Sequence, residues 1–287
     1  MPATEVITVP GVRVGHYTDS AARTGCTVIT FPDGTVASGE VRGGAPASRE
    51  FDLLSPERSV EQIHAAVLTG GSAFGLASAD GVMRRLEEEG RGVLTVAGRV
   101  PIVPALGLFD LMVGNPQVRP TAENGYTAAA SAAAGAAVNG MIGAGTGSTV
   151  GKARGVDGMR DAGLGYAEVR AGEVVLGALC AVNAFGDILD GPPADAAFGG
   201  YEPFATPGER ENTTIGVVFT NAKLSKVECL IVAQGAHDGL ARAIDPPHTR
   251  YDGDAFICAA TGEVEAKVDV VRALAVAAVA EAIRSRA

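Results

Sequence analysis

Large aromatic side chains and positive charge are what this chain has least of. It contains no tryptophan, whereas glycine reaches 39 residues and the alanine runs are long. Such small residues let helices and strands approach closely and allow backbone conformations closed to other residues. Lys and Arg number 23 against 33 Asp and Glu, for a net charge of −10. Phosphate contacts need clustered cations, so nucleic acid is set aside as a partner. The four cysteines (Cys26, Cys180, Cys229, Cys258) are widely spaced with no CxxC pair. They offer neither a zinc site nor a disulfide framework, and read as small buried residues in a reducing compartment. Apolar runs are broken by Gly, Asp or Lys before they reach membrane-spanning length, so no membrane partner is expected. Met1-Pro2-Ala3-Thr4-Glu5 has neither a basic nor an apolar stretch of the signal-peptide kind. The expected compartment is the cytoplasm.

Several familiar motifs are also missing. None of His16, His64, His237 and His248 has a partner at metal-ligand spacing, and His237-Asp238 reads as helix surface. No metal and no cofactor are expected. The glycine-rich segment ending at Lys152 is not a phosphate-binding loop: Thr146 replaces its first glycine and Ala153 follows the lysine. Ser72 is not a nucleophile elbow, because Phe74 stands where GxSxG needs its last glycine.

Hydrophobic residues make up 47% of the 287, which excludes disorder and allows one sizeable core or two small ones. Neither a domain boundary nor an internal repeat is visible. Residues 27–31 and 35–38 read as strands of a hairpin or meander around Phe31-Pro32-Asp33-Gly34. Helices are expected over 59–67, 73–89, 121–138, 224–243 and 264–285, and a pocket-lining loop over 98–115. Strands are expected from 166 to 183, from Thr213, and over 252–259. Residues 191–212 read as an exposed Pro- and Gly-rich loop. Clustered strands and clustered helices without strict alternation indicate layered α+β.

The most informative stretch is Asn212-Thr213-Thr214-Ile215-Gly216-Val217-Val218-Phe219-Thr220-Asn221-Ala222, where a polar pair runs into an apolar strand. A hydroxyl at a strand mouth, preceded by a small polar residue, is where a chain can cut itself. Thr213 would attack the Asn212 carbonyl, and the released Thr213 would carry both a nucleophile and its own base. On these residues alone the commoner reading is a turn closed by side-chain hydrogen bonds. Asn212-Thr213-Thr214 also fits a glycosylation sequon, which matters only in a secreted protein.

The chain resembles the P1 (S58) family of self-processing N-terminal-nucleophile peptidases, among them L-aminopeptidase/D-esterases, β-peptidyl aminopeptidases and nylon-oligomer hydrolases. The motifs that carry the resemblance run in one order along almost the whole chain. They are Pro10-Gly11-Val12-Arg13-Val14-Gly15-His16, Thr24-Gly25-Cys26-Thr27-Val28, Arg42-Gly43-Gly44-Ala45-Pro46 and Thr69-Gly70-Gly71-Ser72-Ala73-Phe74-Gly75-Leu76. Pro101-Ile102-Val103-Pro104-Ala105, Gly143-Ala144-Gly145-Thr146-Gly147, Val182-Asn183 and the Asn-Thr strand follow. The resemblance implies an αββα sandwich of the N-terminal-nucleophile-like aminopeptidase/ornithine acetyltransferase type. It also implies one hydrolase domain, 1–287, self-cleaved into 1–212 and 213–287, and a homotetramer of processed protomers acting on a small amide or peptide substrate.

Residue by residue, the resemblance makes Thr213 the nucleophile, seven residues before Thr220 of the Thr220-Asn221-Ala222 segment. The Asn-Thr cut is similar to the nylon-hydrolase branch, where other members have Gly-Ser. Asp252 and Asp254 match an acidic pair facing the nucleophile, able to hold its ammonium and orient its hydroxyl. From spacing alone they are a solvated Asp-Gly-Asp turn. Asn183 matches an oxyanion-hole or orienting residue, though an Asn at a strand end is common. Lys152 is either a cation near the nucleophile or a surface lysine. Gly70, Gly71 and Ser72 offer backbone N–H groups to an anion or carbonyl, or form a tight turn and helix cap. Phe109 falls near a position where other members carry a Tyr, whose hydroxyl is absent here.

Two other functions stay open. One is acyl transfer of the ornithine acetyltransferase type, which shares the self-cleaving threonine logic. The other is an uncleaved, non-catalytic binding protein.

Overall fold

From Thr213 to Ala222 every residue of the apolar strand is buried. A strand hidden on both faces has to lie inside a stack of layers, and this one does. The computed structural model describes residues 4–134, 137–189 and 212–285.

In chain order the main elements are β1 (Arg13–Asp19), β2 (Thr24–Thr30), β3 (Val36–Val41), β4 (Ala47–Arg49), β5 (Ala65–Thr69), α1 (Ser78–Glu88), β6 (Ala105–Gly107) and α2 (Ala122–Ala130). They continue with β7 (Gly163–Ala171), β8 (Val174–Asn183), β9 (Thr213–Lys223), α3 (Lys226–Ala241), β10 (Ala255–Glu265) and α4 (Val268–Arg284). One five-stranded sheet has the order β1-β2-β5-β6-β4, and the other β7-β8-β9-β10-β3. In the second sheet β9 pairs antiparallel with β8 and parallel with β10.

Strand alternation sorts the core into three apolar layers. Ile215, Val217 and Phe219 of β9 meet Leu179 and Ala181 of β8, Ile257 of β10, and Ile29, Leu68 and Leu106 of the other sheet. Val218, with Cys180, Val182, Phe256 and Cys258 of its own sheet, faces α3 and α4 through Val232, Ala236, Ala275 and Val279. Cys26, Val28, Ala65 and Val67 cover α1 and α2 through Ala79, Val82, Leu86 and Ala128. Helices therefore flank two stacked sheets, the expected αββα sandwich. All four cysteines are buried and free.

Several local expectations are corrected. Residues 59–67 do not form a helix: Ala65–Thr69 is the fully buried strand β5. Its short run of apolar residues carries no helical period, and hydrogen bonding to β2 and β6 decides the outcome. The turn after Phe31 closes no hairpin. It carries the chain from one sheet to the other, so β3 pairs with β10 rather than with β2. The 73–89 helix is broken into Ser72–Gly75 and Ser78–Glu88, and the 121–138 helix stops at Ala130. The 98–115 loop contains strand β6. β10 begins at Ala255, after the two aspartates. The exposed loop expected over 191–212 lies outside the described residues except for Asn212, which is buried.

Candidate active site

Thr213 opens β9 directly opposite Asn183, the last residue of β8. Partners in register share a face, so both side chains point into the layer between the sheets. Thr213 is 4% exposed and Asn183 fully buried. On the other side of β9, Asn212 forms a parallel bridge with Asp252. The Asn212 N–H donates to the Tyr251 carbonyl (3.2 Å), and its own carbonyl oxygen accepts from the Gly253 N–H (2.9 Å). The Thr213 hydroxyl also donates to that oxygen. Two donors therefore converge on the carbonyl that precedes the threonine. Gly253 has to be glycine, because a Cβ there would lie 2.8 Å from Thr213 Oγ1 and 2.7 Å from the Ala45 carbonyl oxygen.

Asn183 is a junction. Its Oδ1 accepts from Lys152 Nζ (2.8 Å) and from the Thr149 N–H (3.0 Å), and its Nδ2 donates to the Phe109 carbonyl (2.8 Å). Those partners fix which end of the amide is oxygen. Lys152 Nζ also donates to the carbonyls of Thr149 (3.0 Å) and Asn183 (3.2 Å). It is thus an internal lysine with three neutral acceptors. Burial draws its pKa down to about 7, against the opposing pull of Asp252.

Asp252 and Asp254 are both buried, at 1% and 2% exposure, which removes the solvated-turn reading. Asp252 Oδ1 accepts from the Phe185 N–H (3.0 Å), and its Oδ2 from the Thr249 N–H (3.0 Å) and hydroxyl. Burial, then the neighbouring charge of Asp254, push Asp252 up to about 6. Asp254 Oδ1 accepts from the Thr214 N–H (2.7 Å), and its Oδ2 from the N–H (3.1 Å) and Nδ1 (2.9 Å) of His248. In the continuous chain Asp254 thus grips the backbone just after the threonine, Asp252 grips Phe185 and Thr249, and the Thr213 hydroxyl turns to the Asn212 carbonyl.

The turn at Gly70, Gly71 and Ser72 uses its own amides. Gly70 donates to the Gly25 carbonyl (2.8 Å), Gly71 to Asp110 Oδ1 (2.7 Å) and Ser72 to the Leu108 carbonyl (2.9 Å). The backbone N–H groups expected to face a ligand are therefore spent on internal acceptors. Asp110 is buried, holds the Thr24 hydroxyl (2.7 Å) as well, and is raised in pKa by that burial. The turn reaches the cluster through Phe109, whose carbonyl anchors Asn183.

His237 is not helix surface: it is fully buried and pairs through Nε2 with the Glu40 carbonyl (2.9 Å). Sequence reasoning missed Gly253 and His248. Gly253 carried a signal, a glycine between two acids at the head of a strand. His248 carried none, because its contact with Asp254 depends on how the 245–252 segment turns.

The profile of peptidase family S58 matches residues 5–286. The chain belongs to peptidase family S58. Among its relatives, an uncharacterized aminopeptidase of Mycobacterium leprae is 43% identical, over 92% of this chain and 80% of its own. The 6-aminohexanoate-oligomer endohydrolase of Paenarthrobacter ureafaciens is 31% identical, over 89% of this chain and 74% of its own. The L-aminopeptidase D-Ala-esterase/amidase of Ochrobactrum anthropi, a variant of the Ntn hydrolase fold, superposes with a TM-score of 0.75. That superposition covers 100% of this chain and 87% of the other at 18% identity, and establishes the shared fold. This S58 member is a peptidase or amidohydrolase with an Ntn-type architecture. Among its described residues no helix is long and apolar enough to cross a membrane.

Proposed function

We propose that the chain cuts itself between Asn212 and Thr213 and then acts as an N-terminal-threonine amidohydrolase. The observation that carries this reading is the Asn212 carbonyl oxygen, which accepts from both the Thr213 hydroxyl and the Gly253 N–H. Attack of Oγ1 on the Asn212 carbonyl carbon closes a five-membered ring. The charge that develops on oxygen is met by the Gly253 amide, already in place. The hydroxyl proton leaves and the Thr213 nitrogen gains one as the C–N bond breaks, so Asn212 becomes an ester of Thr213. Water then adds to the ester, releasing the Asn212 carboxylate and returning the Thr213 hydroxyl beside the amine already freed. Lys152, with its pKa drawn to about 7, can exchange a proton near neutrality and is tied to Asn183 opposite Thr213.

In the processed enzyme the Thr213 amine, with an ordinary pKa of about 7.7–8.0, takes the hydroxyl proton. Oγ1 attacks the substrate carbonyl, the amine product leaves, and water resolves the acyl-enzyme. Asn183 keeps a second Nδ2 hydrogen beyond its bond to Phe109, and we assign it to the substrate oxyanion. Asp252 and Asp254 set the backbone and the local charge that hold the new ammonium. The turn at Gly70, Gly71 and Ser72 walls the substrate by shape, since its amides are taken. Substrates of this reading are small amides or esters with a free amino group, ω-amino-acid oligomers among them. Activity falls on the acid side as the Thr213 amine protonates. Free, buried cysteines support work in the cytoplasm, and the family resemblance supports assembly of processed protomers into a homotetramer.

Intact-mass measurement and N-terminal sequencing test the proposal together. The small fragment should begin Thr-Thr-Ile-Gly. A different start, or full activity in a chain that is never cut, overturns it.

A further inference from the structure

His248 is joined to the threonine strand through Asp254 and adopts a conformation that L residues seldom take. Its φ is 52°, in the left-handed region, and a side chain there persists only where its surroundings over-determine it. What holds it is Asp254: one carboxylate oxygen accepts both the His248 N–H (3.1 Å) and the ring Nδ1–H (2.9 Å). The other oxygen accepts the Thr214 N–H at 2.7 Å. Through one buried carboxylate, His248 is linked to the residue that follows the nucleophile.

The far side of the ring is enclosed. Among the described residues His248 Nε2 is buried with no hydrogen-bond partner, and Nδ1, which faces the carboxylate, carries a proton. His237 packs edge-on against it at 4.9 Å between centroids, and Phe256 packs against His237 at 5.0 Å. His237 spends its Nε2–H on the Glu40 carbonyl, and burial keeps it neutral. Arg42 and Asp238 pair with each other at the rim, and Arg42 also pairs with Glu40. Among the described residues the second oxygen of Asp254 is held by the two N–H groups of His248 alone.

We propose that His248 is a positioning residue for the nucleophile. By fixing one oxygen of Asp254 with two N–H groups it aims the other at the Thr214 amide. That bond sets how far Thr213 stands into the strand mouth, and so the approach of Oγ1 to the carbonyl. The proposal rests on the self-cleavage reading for its kinetic consequence and on the hydrogen bonds alone for its structural one. Small misplacements of a reacting group are costly in rate, so the consequence is measurable.

The test compares full-length His248→Ala and His248→Asn with the parent chain. Asn can return a side-chain N–H to Asp254 and tolerates left-handed backbone. Time courses of fragment release and turnover of an aminoacyl p-nitroanilide give the kinetics. The expected result is processing and kcat reduced in His248→Ala by a factor on the order of 10–100, with KM shifted far less. His248→Asn should recover most of that loss. Unchanged processing and kcat in folded His248→Ala overturn the proposal. So does a folded His248→Asn chain that is as slow as His248→Ala. Should His248→Ala fail to fold, His248→Leu, which fills the site and offers no side-chain N–H, takes its place in both readouts under the same criteria. A second readout does not depend on cleavage. In a Thr213→Ala background the Thr214 amide proton should resonate downfield with His248 and move upfield in His248→Ala. An unmoved resonance overturns the proposal even where processing itself proves wrong.

Discussion

The carbonyl oxygen of Asn212 and the side chain of Thr214 divide the work of two adjacent threonines. Thr213 Oγ1 lies against the carbonyl it would attack, whereas Thr214 Oγ1 is buried with no hydrogen-bond partner among the described residues and Thr214 is held through its backbone N–H. Alternation along β9 puts the two hydroxyls on opposite faces. Thr213→Ala should therefore abolish fragment release and hydrolysis together. Thr214→Ala keeps the N–H that Asp254 grips and loses only an unpaired hydroxyl. It should process within a few-fold of the parent, with stability unchanged or raised, since leaving a buried polar group unpaired costs about 1–3 kcal/mol. Gel time courses and melting curves on the two variants check both halves. Processing blocked by Thr214→Ala and not by Thr213→Ala would move the cut by one residue.

At the level of elements, the proposed cut falls where strand order keeps the product in one piece. The segment from Thr213 onward contributes β9, α3, β10 and α4, and the sheet runs β7-β8-β9-β10-β3. Two strands of the small piece are thus flanked on both sides by strands of the large one. Alone, that piece would expose two sheet edges and half of a core. The two pieces should therefore co-purify through chromatography and separate only in denaturant. Dissociation in native buffer would show that the strand pairing does not hold them. The same elements show what could be read in advance. β9 was legible because Ile215, Val217 and Phe219 alternate against a polar start, and Asn183 because an amide closing an apolar strand needs partners. β5 was not, because Ala65-Ala66-Val67-Leu68 is apolar without a period and only its neighbours make it a strand. The burial of Lys152 and the partnership of His248 with Asp254 were hidden for a related reason. Both arise where segments distant in sequence meet, and no local spacing encodes them.

For the whole molecule, buried titratable groups set the pH range in which the sandwich stays folded. His16 and His237 are drawn down from 6.5 to about 4 and about 3 by burial, and His64 is lowered for the same first reason. Each holds its proton less readily when folded than when unfolded. The stability each contributes is fully present above pH 6.5 and is lost as pH falls toward its folded pKa. Asp252, raised to about 6, and Asp110, raised by burial, act in the opposite sense. They bind a proton more readily when folded, so their contribution is fully present below the ordinary carboxylate pKa and is lost as pH rises through the folded value. Between pH 6 and 4 His16 and His237 therefore oppose Asp252, while His64 and Asp110 add shifts of opposite sense. The balance is about one extra proton on the unfolded chain, or roughly 1.4 kcal/mol of stability lost per pH unit. Urea midpoints taken at pH 6.5, 5 and 4 should fall steadily, and His16→Asn, which can keep a bond to the Thr27 hydroxyl, should flatten the slope by about one proton. Midpoints that stay level or rise on acidification would mean that the carboxylates beside Thr213, rather than the core histidines, govern the acid limit of the fold.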